Sequence, residues 1–196
     1  MRWSKGKGGS AKRFFDLALA TLAVTVLWLP LLLVAILVKL TSTGPIIFWS
    51  DRVGKDNRVF RMPKFRTMRL GTPIVATSLL EKPDQFLTPI GSFLRRSSLD
   101  ELPQLWSILK GDMSFVGPRP VIVEERDLLA LRAQYGVDAL RPGLTGWAQI
   151  NGRDHLSVAE KIAFDVEYLQ RQSFAFDLKV LALTFFRVLV RHGILH

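Results

Sequence analysis

Asp100 and Glu101 stand side by side in SSLDELPQLWSILKGDMSFVGPRP, after Arg95 and Arg96 and before Arg119, which is clamped between Pro118 and Pro120. Two jobs are open to such a pair. The structural one is capping: Ser98 and Glu101 make an S-x-x-E box, and acids in a first helical turn gain roughly 0.3–1 kcal/mol from the helix dipole. Pro103 complicates this register, because it would fall inside the helix and remove a hydrogen bond, so the helix could instead begin at Pro103. In either register the carboxylates sit at a helix N-terminus.

The chemical job draws on the neighbours. In GPRP, Gly117 allows close approach and the prolines stiffen the chain around Arg119, whose planar fork suits bidentate phosphate binding. The stretch RPGLTGWAQINGR adds Arg141 and Arg153, with Gly143, Gly146 and Gly152 between them. Acids among phosphate-binding arginines call for a divalent ion, and oxygen ligands without a histidine or cysteine cluster favour Mg²⁺ over zinc. An aspartate can also attack phosphorus and form an aspartyl-phosphate type intermediate. Asp100 therefore has both metal binding and nucleophilic attack open to it.

The elements that must hold these residues are bounded by composition. The chain has 196 residues, enough for one domain with a modest core, and no second independent domain is expected. Its 27 Lys and Arg against 17 Asp and Glu give a net charge of +10, which favours anionic partners such as nucleotide phosphates, acidic lipid or nucleic acid. No cysteine is present, which removes disulfides, thiolate nucleophiles and zinc-thiolate sites. His155, His192 and His196 read as surface or cap residues.

Residues 17–38, LALATLAVTVLWLPLLLVAILV, carry no charge. At about 1.5 Å per residue a straight helix here is roughly 33 Å long, against about 30 Å for a bilayer's hydrocarbon core. The apolar run is longer than a secretory signal's and no small-x-small cleavage site follows it. Basic residues flank both sides: Arg2, Lys5, Lys7, Lys12 and Arg13 before, Lys39, Arg52, Lys55 and Arg58 after. A straight span would place one basic flank outside, whereas a hairpin broken at Pro30 keeps both on the cytoplasmic face. The reading favours the re-entrant hairpin, with Thr25 as the nearest hydroxyl for the carbonyl that the proline leaves unpaired.

The opening RWSKGKGGSAK reads as a flexible basic arm at the headgroups. Residues 46–49 and 58–62 are β-prone runs around VGKDN, a hairpin signature, and residues 71–89 read as a loop with at most one helical turn. Ser157 and Glu160 form a second S-x-x-E box ahead of Val158, Ile162, Val166 and Leu169 at helical spacing. Asp177 is expected to cap a last apolar helix that ends at Gly193 and either packs in the core or lies in the membrane interface.

On KRFFD (residues 12–16), GPIIFWSDRVGKDNRVFRMPKFRTM, LRRSSLDELPQLWSILKGDMSFVGPRP, RPGLTGWAQINGR and FDVEYL, the sequence resembles the monotopic phosphoglycosyl transferases, also called bacterial sugar transferases. The resemblance implies a mainly α protein with a small β-hairpin (α+β), monotopic in the membrane. Residues 1–40 would be a basic arm and re-entrant helix broken at Pro30, and residues 41–196 one catalytic unit with interfacial helices. The family's break often carries Ser-Pro, where this sequence has Leu29-Pro30.

The implied location is the cytoplasmic face of a bacterial inner membrane. The implied partners are a nucleotide sugar, usually a UDP-sugar, undecaprenyl phosphate and membrane lipid. By the same resemblance Asp100 attacks the donor's β-phosphate with Mg²⁺ at Asp100, UMP leaves, and the phosphosugar passes to the lipid phosphate to initiate glycan assembly. Glu101 would support acid-base or metal-orienting work, Arg119 would bind phosphate, and Arg141, Arg153 and Asp165 would line the pocket. The competing reading is a basic membrane-anchored module that binds anionic lipid or nucleic acid without turnover, which Trp3, Trp28, Trp49, Trp106 and Trp147 would suit. No RNA- or DNA-reading motif is present, so nucleic acid is not an expected partner. A third reading is a single-pass membrane protein whose acids only cap.

Overall fold

A single long apolar helix opens the computed structural model, which describes residues 8–73, 83–152 and 155–190. Helix α1 (Gly8–Thr41) begins inside the stretch expected to be a flexible arm, and helical structure continues through Pro30. Among the described residues it is the one helix long and apolar enough to cross a membrane. Thr25 donates its hydroxyl to Thr21 O, one turn back, and so does not serve the carbonyl freed by Pro30.

Both ends of α1 are packed. At the first end Ala20 joins the main core, with Leu19, Ala23 and Val24 around it. At the other, Val34 and Val38 pack with Phe65 and Leu94. No residue between 21 and 33 is buried, and Leu22, Val26, Trp28, Leu29, Leu32 and Leu33 are exposed.

The charges of KRFFD face the protein. Lys12 Nζ lies 2.6 Å from Asp177 Oδ2. Arg13 donates to Ile108 O and Leu109 O at 2.5 and 2.7 Å, covering carbonyls that a helix end leaves open. Asp16 Oδ1 accepts from Ser114 Oγ at 3.0 Å and from the Phe115 N–H at 3.1 Å. Lys12 and Arg13 are thus docking residues, where the charge-flank reasoning assigned them to the headgroups.

Strands β1 (Ile47–Val53) and β2 (Val59–Phe65) form the expected antiparallel hairpin, in register from Ile47 opposite Phe65 to Val53 opposite Val59. Its tip places Asp56 and Asn57 at φ 55° and 57°, a left-handed geometry that Asp and Asn tolerate better than most side chains. Helix α2 (Gly91–Ser97) leads through the 3₁₀ turn Leu99–Gln104 into α3 (Leu105–Lys110) and β3 (Ser114–Val116). Then come α4 (Arg126–Gln134), β4 (Gly143–Thr145), α5 (Trp147–Asn151), α6 (Val158–Arg171) and α7 (Phe174–Val190).

The fold is mostly helical, as expected, but it holds a second small sheet that local patterns did not announce. β3 and β4 pair in parallel, Ser114 opposite Gly143 and Val116 opposite Thr145. Three-residue strands leave too little alternation to read, and only the approach of two distant loops creates them.

Two end signals also resolve. Ser157 and Glu160 make the expected reciprocal capping box on α6. Asp177, however, does not cap α7: the helix starts at Phe174, the Phe176 N–H bonds Ser173 Oγ at 3.2 Å, and Asp177 is buried. Its Oδ1 accepts from Tyr168 Oη at 2.7 Å while Lys12 holds Oδ2. Helix α7 packs in the core through Phe176 and Val180, while Leu178, Phe185 and Phe186 stay exposed. The helix end expected at Gly193 lies outside the described residues, as do His192 and His196.

Candidate active site

Asp100 and Glu101 lie in the 3₁₀ turn Leu99–Gln104, between α2 and α3. The turn exists because Pro103 cannot donate to an α-helical ladder begun at Ser98, so the α-helix proper starts after it, at Leu105. Ser98 sits at the junction with φ 57° and makes no side-chain cap. The expected Ser98–Glu101 box is therefore not formed; the Glu101 N–H bonds the Ser98 carbonyl at 3.2 Å, and the Glu101 carboxylate is turned to other partners. Lys64, near the end of β2, places Nζ 2.8 Å from Glu101 Oε1, and Arg119 Nη1 stands 3.9 Å from the same oxygen.

Asp100 is only 7% exposed. Burial pushes its carboxyl up to about 6, with Glu101 adding to the shift and Lys64 and Arg95 opposing it. Arg95 comes from α2 and donates Nε to Thr67 Oγ1 at 3.1 Å. Its own affinity for a proton is lowered, chiefly by burial.

Beside the acids an open hollow of about 220 Å³ is lined by Arg52, Lys64, Glu101, Gln104, Arg119 and Leu144 among others. Arg52 is lowered to about 10, first by burial and next by the like charge of Arg119. Glu125, Glu101 and Glu124 oppose that shift, and a bound anion would add to their relief of the two like charges lining one hollow. The hairpin β1–β2 supplies Arg52 and Lys64; the GPRP loop supplies Arg119.

Glycines set that loop. A Cβ on Gly117 would stand 2.3 Å from Arg141 O, one on Gly143 would be 2.2 Å from Gly117 N, and one on Gly146 would be 2.1 Å from Gly117 O. The GPRP and RPGLTG motifs thus touch main chain to main chain. The contact is sealed by Gly117 N–H to Thr145 O at 3.0 Å and Gly143 N–H to Pro118 O at 2.8 Å.

The residues expected to bind phosphate separate. Arg119 reaches the hollow with its side chain 42% exposed. Arg141 turns away and donates Nε to Gly111 O at 3.0 Å. Asp165 is 2% exposed beneath the site and pairs with Arg132. Arg153 lies outside the described residues. Sequence reading missed Arg52 and Lys64 as site residues, although both sit inside motifs quoted for the family resemblance. The linear pattern presents Arg52 only as a membrane flank and gives Lys64 no role of its own. Gln104 and Arg132 carried no signal beyond their polarity.

Fold and site together define a basic domain with a long apolar helix compatible with membrane anchoring and an arginine- and lysine-lined hollow beside the acid pair. The bacterial sugar transferase family model matches residues 8–191, and the chain belongs to that family. It is 40% identical over 183 residues to the UDP-glucose:undecaprenyl-phosphate glucose-1-phosphate transferase of Escherichia coli, covering 90% of this chain and 39% of that one. It is 39% identical over 201 residues to the exopolysaccharide production protein ExoY of Sinorhizobium fredii, covering 95% of this chain and 88% of that one. Against the UDP-galactose-lipid carrier transferase of Erwinia amylovora it is 38% identical over 197 residues, covering 93% of this chain and 41% of that one. The chain thus corresponds to nearly all of ExoY and to about two fifths of the two longer relatives.

Proposed function

We propose that this chain transfers a phosphosugar from a UDP-sugar to undecaprenyl phosphate through a covalent intermediate on Asp100, initiating exopolysaccharide or a related glycan. The observation that carries the reading is the buried Asp100 carboxyl, next in the chain to Glu101, which lines one hollow with Arg52, Lys64 and Arg119. Relatives named for UDP-glucose, UDP-galactose and undecaprenyl phosphate support the substrate classes.

In the first step an Asp100 carboxylate oxygen bonds the donor's β-phosphorus, the bond from that phosphorus to the bridging oxygen breaks, and UMP leaves with the electron pair. In the second step an oxygen of the lipid phosphate attacks the same phosphorus and the aspartate leaves. Burial makes the carboxylate a stronger base than a solvated one. Lys64 and Arg95 keep enough of it ionised near neutral pH to attack. Arg52 and Arg119 offset the donor's charge as the nucleophile approaches. Glu101, held by Lys64 and facing Arg119, orients both cations.

Mg²⁺ fits this donor set. Among the described residues no cluster of three or more His, Cys, Asp or Glu is present, and an ion that takes one or two carboxylates plus substrate phosphate and water needs none. Asp100 would hold it, with Glu101 adjacent, and when bound it would supply further neutralisation of the diphosphate.

The re-entrant topology at the cytoplasmic face of the inner membrane belongs to the same proposal. Its support is that both ends of α1 dock on one domain while no residue from 21 to 33 is fully buried and Leu22, Val26, Trp28, Leu29, Leu32 and Leu33 are exposed. Such a helix dips an apolar middle into lipid and keeps the hollow at the headgroups, where a lipid phosphate and a soluble nucleotide can meet.

The test is UMP release from a panel of UDP-sugars with undecaprenyl phosphate and Mg²⁺. At least one UDP-sugar is expected to yield UMP, and Asp100→Asn to abolish release without loss of membrane association. Mass spectrometry of the turning-over protein is expected to place a phosphosugar on the peptide bearing Asp100. A variant that retains turnover would refute the nucleophile assignment.

A further inference from the structure

Beneath the GPRP loop, Arg132 and Asp165 form an ion pair that lines no part of the hollow. Arg132 lies on the buried face of α4 with Leu128, and Asp165 on the buried face of α6 with Ile162 and Tyr168. Each of the three guanidinium nitrogens makes one bond: Nε and Nη2 donate to Asp165 Oδ2 at 2.9 and 2.7 Å, and Nη1 donates to the main-chain carbonyl of Arg119 at 2.8 Å. Arg132 and Asp165 are 7% and 2% exposed.

We propose that Arg132 and Asp165 are a positioning pair, which grips the Arg119 carbonyl from below and so fixes where the Arg119 guanidinium meets the donor's diphosphate. This rests on the reading of the hollow as the donor site.

Two physical points carry it. Pro118 and Pro120 have no N–H, so the main chain around Arg119 has few donors and is held largely through its carbonyls. Pro118 O is taken by Gly143 and Arg119 O by Arg132. The second point concerns cost. A buried ion pair is seldom retained for stability, since apolar replacements of both partners are often neutral or better. What apolar side chains cannot replace is a fork whose third nitrogen ties α4 and α6 to one carbonyl in the active loop. Asp165 touches no part of the hollow; it orients Arg132, and Arg132 orients Arg119.

The test replaces both partners, Arg132→Met with Asp165→Leu, so that no lone charge stays buried. Expected are an unchanged membrane fraction, a melting temperature within a few degrees of the wild type, and a fall in kcat/KM for the UDP-sugar of at least tenfold. The division of that fall between kcat and KM should match Arg119→Ala. In an Arg119→Ala background the same two replacements should add less than a twofold loss, because the group they position is gone. A folded double variant with wild-type kcat/KM, or an undiminished loss in the Arg119→Ala background, overturns the proposal.

Arg132→Lys keeps a charge on Asp165 but cannot make all three bonds, and should lose at least threefold with the same division; wild-type values there would also overturn it. Wild-type turnover by Arg119→Ala alone would refute the donor-site reading on which the pair depends. A defective Arg119→Ala beside an active double variant would refute the pair alone.

Discussion

Lys64 Nζ lies 2.8 Å from Glu101 Oε1, and the same ammonium is the leading opposite charge acting on Asp100. One side chain from the hairpin therefore tunes both members of the acid pair. Removing it with Lys64→Met takes away a cation that favours ionised Asp100, so that group's midpoint rises above about 6. The acid limb of the kcat/KM profile for UMP release should move to higher pH, with a loss at pH 7 of roughly twofold for the first unit moved and approaching tenfold for each unit beyond it. An unmoved limb would show that Lys64 acts elsewhere.

Asp100 should also cost the fold stability at working pH. Its folded midpoint of about 6 lies above the ordinary 3.8, so the folded state binds the proton more tightly. The stabilising contribution of the neutral form is complete below about pH 4 and is lost as pH rises through 6. Asp100→Asn should therefore raise stability at pH 7.5 by about 3 kcal/mol while abolishing turnover, and by nearly nothing at pH 4. Denaturation in detergent at the two pH values measures this.

Lys12 and Asp177 join the first turns of α1 to α7 through a contact of 2.6 Å, with the Asp177 side chain fully buried. Lys12→Met leaves that carboxylate without its cation and should destabilise by roughly 3–5 kcal/mol. Asp177→Asn, which stays neutral, should cost less. Thermal unfolding of both variants in one detergent gives the comparison.

Gly117 has main chain on every side that a methyl would enter. Gly117→Ala should force the GPRP and RPGLTG loops apart, at about 1–3 kcal/mol and with most of the turnover. Gly9, in α1 with nothing within 4 Å of a built Cβ, is the control: Gly9→Ala should stabilise by about 0.5–1 kcal/mol and leave UMP release unchanged.

Ser10 and Thr43 flank the apolar helix and are both exposed, and the chain has no native cysteine. Cysteines placed singly at the two positions should both resist an impermeant thiol reagent in intact spheroplasts and both react after lysis. Labelling of one from outside would establish a straight span in place of a re-entrant helix.

Much of this protein was legible in its linear pattern, because the relevant physics is local. Hydrophobic run length announced α1, turn chemistry around Gly54 to Asn57 announced the hairpin, and a reciprocal Ser-Glu pair announced the start of α6. The acid pair and the GPRP arginine were visible as residue types at short spacing. The Ser98–Glu101 pair failed as a cap because Pro103 diverts the chain into a 3₁₀ turn and Lys64, far away in sequence, claims the carboxylate. Asp177 departs from the expected cap for a similar reason: buried beside Lys12 and Tyr168, its carboxylate is held by side chains from other helices, and Ser173 accepts from the first turn of α7.

Which charges face the hollow and which are consumed beneath it was decided by the tertiary structure alone. Arg52 and Arg141 are the same residue type, yet one lines the hollow and the other bonds the Gly111 carbonyl. Composition and spacing specify what a side chain can do. The cost of burying a charge depends on every group that packs around it, and the folded chain brings those groups from all along its length.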